Sequence, residues 1–222
     1  MALHTSSASI LFRDQNLEPF PSYPDQKRWV LGKSTENANV VEFLSNMDKE
    51  LAAAWLTMQK FCSLVSLAME TQRVFSLEIV LDTMVSVMYR LLAMDFETGS
   101  ADEAIRLALL ALCYCVFLRW QGMTLPASNF PAQFMSSIID LKVRNGFLEQ
   151  VILWLLMVGG ISVSSDPQDR WLKACLQEQL VIGHITSWDE LRKILKSFIW
   201  ISPLHDKPGK DLFDSLRWMY NR

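Results

Sequence analysis

The chain has 222 residues, half of them hydrophobic and a fifth charged, and its 21 basic and 24 acidic side chains leave a formal net charge of −3. That is enough apolar material to bury a substantial core in one domain, and it offers no basic stripe of the kind that announces phosphate-backbone binding. The eleven methionines and eight tryptophans read as fillers of an irregular helical core, methionine being the most adaptable of apolar side chains.

Two segments test the membrane alternative. A spanning helix needs about 20 consecutive apolar residues. The run from Val151 stops at Val158, ahead of Gly159 and Gly160, and the run from Leu107 to Leu118 is closed by Arg106 and Arg119. No transmembrane helix is predicted. The first residues, MALHTSSASILFRDQ, lack the charged start and cleavage site of a secretory signal, so the chain is expected to stay inside the cell. Cys62, Cys113, Cys115 and Cys175 lie in apolar helical stretches and are expected to be free thiols in a reducing compartment.

In chain order, residues 1–36 hold Pro19, Pro21 and Pro24, each lacking a backbone donor and favouring extended geometry before it; they read as an extended arm preceding a helical domain at 37–222. From Val40 to Met69 apolar residues recur every three or four positions, predicting one long helix or two joined ones. Ser76 supplies an N-cap for a helix whose stripe is Ile79, Met84, Val87, Met88, Leu91 and Leu92. Ser100 and Glu103 match a capping box, opening a helix through Leu107–Leu118 that is apolar on nearly every side and belongs in the middle of a bundle. A helix from about Pro131 to Val143 should end at the Asn145-Gly146 pair.

The most hydrophobic passage, Phe147 to Ser162, reads as a second core helix stopped by its two glycines. Asp166 and Pro167 start the next helix, with Trp171, Leu172, Cys175, Leu176 and Leu180 inward. Ser187 and Glu190 repeat the capping box ahead of a stripe of Leu191, Ile194, Leu195, Phe198 and Ile199, and a short helix around Leu212 to Tyr220 closes the chain. No alternating strand pattern or fixed repeat is visible. The expected fold is all-α, a bundle of about eight helices.

No catalytic constellation emerges. His4, His184 and His205 stand in separate segments without a cysteine or carboxylate at metal-ligand spacing, and each reads as a surface or satisfied polar residue. Cys113 and Cys115 are about 200° apart on a helix and cannot share a metal. Gly159 and Gly160 lack the trailing Lys-Ser/Thr and preceding strand of a phosphate loop and read as close packing. Asp95, Glu97, Asp102 and Glu103 are accounted for by capping and the helix dipole, with no second acidic cluster to face them. Arg192, Lys193 and Lys196 read as a solvated face paired with Asp189 and Glu190 one turn earlier. Trp120, Trp154, Trp171 and Trp200 are expected to build the fold. No catalytic, cofactor or metal residue is assigned.

One ordered set of segments goes further. "SVMYRLLAM", "VFLRWQ", "LEQVILWLLMVGGIS", "WLKACL" and "SWDELRKILKSFIWISPLHDKPGKDLFDSL" resemble in order and spacing the fungal-specific transcription factor domain, the helical regulatory region C-terminal to a zinc binuclear-cluster DNA reader. The likeness covers about Leu77 to Leu216 and more loosely the rest, and "LWLLMVGG" and "LKSFIW" with Asp206 and Gly209 are its most specific parts. The resemblance implies a nuclear, non-catalytic regulator that contacts transcription proteins, a homodimer partner or a small-molecule effector. The family's six zinc-binding cysteines have no counterpart, since no cysteine precedes Cys62. Direct DNA binding is therefore not expected of this chain, which is either a piece of a longer factor or a stand-alone regulatory domain. The alternatives are a helical small-molecule binder or biosynthetic enzyme, and a fragment without independent function.

Overall fold

A computed structural model describes residues 43–74, 76–118, 129–143, 149–163 and 170–217. The expected arm, His4, Trp120, the Asn145-Gly146 stop and the Asp166-Pro167 start lie outside the described residues. Among those described the chain is all-α, as its periodicity predicts, with eight α-helices of nine or more residues and no strand. They are α1 (Lys49–Glu70), α2 (Leu77–Ala93), α3 (Ala101–Cys113), α4 (Phe130–Val143), α5 (Glu149–Ser162), α6 (Arg170–Ile182), α7 (Trp188–Lys196) and α8 (Ser202–Arg217), with a π-helical turn at Tyr114–Leu118 extending α3.

α5 is the axis of the bundle because nothing on its surface asks for water. Every residue from Val151 to Gly159 is buried, and the helix touches α3, α4, α6, α7 and α8. An all-round apolar helix is stable only where neighbours cover every face. α3 takes the same role on the other side, packing on α1, α2, α4 and α5. The two glycines do not stop α5, contrary to the sequence reading; the helix runs through them to Ser162. They are contact points. A Cβ on Gly159 would stand 2.6 Å from Cε1 of the buried Phe134 in α4, and one on Gly160 would press on Leu212 of α8 and Leu172 of α6. Missing side chains let three helices approach α5 closely.

The Val40–Met69 pattern resolves into a helical turn at 43–45, a break, and α1. Asp48 makes the break by capping α1, its Oδ1 accepting from the N–H groups of Glu50 and Leu51 at 2.9 and 3.2 Å. α1 has the length and apolarity to cross a membrane, a property that the sequence reading assigned to no helix. In this fold its stripe of Leu51, Ala54, Trp55, Met58, Phe61 and Cys62 is buried in the bundle core. Trp55 centres an aromatic knot, with ring centroids 5.3 Å from Phe43, 4.9 Å from Trp154 and 6.4 Å from Phe198. The knot ties α1 to α5 and to the segment joining α7 and α8. Each such ring removes about 150–250 Å² from water, about 4–6 kcal/mol of gross burial before ordering costs.

Three capping expectations divide. Ser187 and Glu190 form the full box, the serine Oγ accepting from Glu190 N and the carboxylate from Ser187 N. Ser100 forms only its half: its Oγ accepts from Glu103 N at 3.1 Å. The Glu103 carboxylate turns instead to Arg106, gripping Nε and Nη2 at 2.7 Å each, while Arg106 Nη1 donates to Leu91 O. A bidentate charged pair outcompetes one backbone bond. Ser76 stands at the N-cap of α2 with no side-chain capping bond. The last helix begins ten residues before the expected Leu212 and passes through Pro208.

Candidate functional site

The α7–α8 corner concentrates the polar chemistry. Asp206 Oδ2 accepts from Arg192 Nε at 2.7 Å, and Oδ1 accepts from Trp200 Nε1 at 2.8 Å. The expected pairing of Arg192 with Asp189 or Glu190 is replaced by this longer-range one, because Glu190 is held by the cap and Asp206 lies across the corner. The backbone N–H groups of Thr186 and Ser187 hold the Glu190 carboxyl below its ordinary range. Trp200 also meets Gly209, where a Cβ would lie 2.9 Å from Trp188 and 3.0 Å from Trp200. Trp154 reaches the same corner, its Nε1 donating to Ile199 O at 3.0 Å. Trp154 of α5 and the stretch from Ile199 to Gly209 thus meet at one corner.

His205 departs from the sequence reading, being neither a surface nor a fully satisfied residue. It is wholly buried, its ring 5.0 Å from that of Trp200, and its Nδ1 accepts from Ile201 N at 3.0 Å. The proton therefore sits on Nε2, which is buried without a partner. Burial drives the imidazole pKa down to about 4, against a smaller upward pull from the Asp206 charge. This neutral ring locks the start of α8.

A cleft of about 290 Å³ lies between the C-terminal ends of α6 and α8. Its walls are Leu180, Val181 and Ile185 on one side and Phe213 and Leu216 on the other. Its polar members are largely engaged: Gln177 Nε2 donates to Leu216 O, and Thr186 donates through N and Oγ1 to Glu190. His184 completes the lining, held at φ 51°. That left-handed conformation closes α6, with His184 N donating to Val181 O and Ile185 N to Leu180 O. Glycine, which adopts it at least cost, stands one position earlier as Gly183. Sequence reading missed the cleft because its walls are about thirty residues apart in the chain.

The remaining sequence-flagged residues do not converge. Asp95 and Glu97 are exposed, and Asp102 and Glu103 are half-buried. Burial, then the charge of Asp48, raises the Asp102 carboxyl, while a backbone bond from Asp48 opposes the rise. Among the described residues no group of three or more histidine, cysteine or acidic side chains could hold a metal ion. Cys62, Cys113 and Cys175 are buried and Cys115 is half-buried on the π-helical turn. Burial pushes the thiols of Cys62 and Cys113 far up, and Cys113 Sγ rests 3.9 Å from Met58 Sδ. Trp154 and Trp200 are buried and Trp171 half-buried.

A different surface draws attention on α2. Leu77, Leu81 and Val85, spaced four apart and so on one helix face, are 61%, 42% and 39% exposed. The inward face is Val87, Met88, Leu91 and Leu92, with Ile79 and Met84 only partly buried. Compared with family models, with curated proteins and with solved structures, the chain finds no match in any of the three.

Proposed function

We propose that the chain is a non-catalytic regulatory and interaction domain of a fungal transcription factor, acting in the nucleus through protein contacts or a small-molecule effector and without touching DNA itself. Support for the family comes from the ordered resemblance of its segments. The observation that carries the interaction half is the Leu77, Leu81, Val85 stripe: an apolar row on an exposed helix face is what a partner's groove recognises. The rest of the bundle holds that face rigid, since α2 is anchored by Val87, Met88, Leu91 and Leu92 and by the Arg90–Glu50 pair at 3.2 Å.

The test is a reporter assay with the whole chain fused to a foreign DNA-binding module. The reading requires activation or repression relative to the module alone. Transcription unchanged across growth conditions counts against it. The cleft beside α6 favours a second reading, a small-molecule-binding protein, which the same assay separates by its dependence on added ligand.

A further inference from the structure

We infer that the cleft between α6 and α8 is the effector site of this domain, and that its ligand is a largely apolar molecule of about a dozen heavy atoms carrying a single hydroxyl or carbonyl. The inference rests on the effector arm of the function proposed above and names its site and ligand class.

Size follows from volume. A cavity of 150 Å³ accommodates benzene, six heavy atoms; this cleft, at about 290 Å³, takes about a dozen. Leu180, Val181 and Ile185 oppose Phe213 and Leu216, so an apolar body is covered from two helices at once. The polar end is set by which groups are already committed. Gln177 is spent on the Leu216 carbonyl, and Thr186 donates both its hydrogens to Glu190. The imidazole of His184 is left to bond a ligand hydroxyl or carbonyl.

The probe is 2-naphthol, titrated against the purified chain by fluorescence. The expected dissociation constant for 2-naphthol is on the order of 0.1 mM. His184→Gly should weaken 2-naphthol about fivefold while the unliganded melting temperature holds or rises by about 1–3 °C. Val181→Trp, at a position 58% exposed and so tolerant of bulk, should fill the cleft and abolish binding with the fold intact. Absence of saturable binding by the wild type overturns the inference. So does binding that is unchanged in either variant. Because binding is measured without a promoter, a chain that binds yet leaves the reporter silent refutes the transcriptional reading and not the site.

Discussion

Acid should destabilise this protein through one histidine, and the size of the effect follows from where His205 sits. In the unfolded chain its pKa is near the ordinary 6.5, and in the fold burial holds it at about 4. The folded state therefore binds fewer protons between those values. Stability from this group is fully present above pH 6.5, falls as pH drops, and is gone by about pH 4. At about 1.4 kcal/mol per unit, the 2.5-unit gap is worth about 3 kcal/mol. The route to damage is local: a protonated ring can no longer accept from Ile201 N, and it places positive charge in the first turn of α8, where the helix dipole opposes it. His205→Asn keeps an acceptor and cannot titrate. Urea unfolding of both proteins from pH 7 to pH 4 should show the wild type losing about 3 kcal/mol more than the variant. The carboxylates titrating near pH 4 are common to both and cancel. Parallel pH profiles would refute the burial argument.

Trp154→Ala should cost about 3–5 kcal/mol, because it empties the aromatic knot and strands the Ile199 carbonyl; chemical denaturation measures it. Gly159→Ala meets the rigid Phe134 ring and should destabilise by about 1 kcal/mol, the overpacking cost of about 1–3 kcal/mol outweighing the roughly 1 kcal/mol gain in helix propensity. Gly160→Ala, where the nearest atoms are the ends of Leu212 and Leu172, should be milder in the same assay. Ser187→Ala removes the capping oxygen of α7 and should cost about 1 kcal/mol, read as a lower melting temperature. Toward an aromatic disulfide reagent in native buffer, Cys115 should react first. Cys62 and Cys113, buried and held as thiols, should wait for unfolding.

Much of the fold was legible because helical periodicity is a direct imprint of burial: α3, α5 and the inner faces of α6 and α7 lie where apolar spacing puts them. What failed was punctuation. Gly159 and Gly160 look like a stop, but the force retaining them is close approach of α4, α6 and α8, which local sequence does not reveal. The last helix, expected around Leu212, starts at Ser202 and runs through Pro208 and Gly209, with Gly209 seated against Trp188 and Trp200. His205 sits in the polar run Ser202–Lys210, and its burial is imposed by Trp200 and the corner around it, a tertiary effect without a local signal. The α2 stripe was hidden because Leu77, Leu81 and Val85 are as apolar as the residues facing inward, and only packing separates the two faces. Of the cleft, sequence marked His184 and the buried Leu180; its other half waits on the folding back of α8.

The interaction surface on α2 is the claim most open to direct attack. The chain fused to a DNA-binding module should alter a reporter, and a Leu77→Lys, Leu81→Lys, Val85→Lys triple variant, its helix content and melting temperature preserved, should return the reporter to the level of the module alone. A triple variant that folds and still regulates as strongly as the wild type would contradict the account.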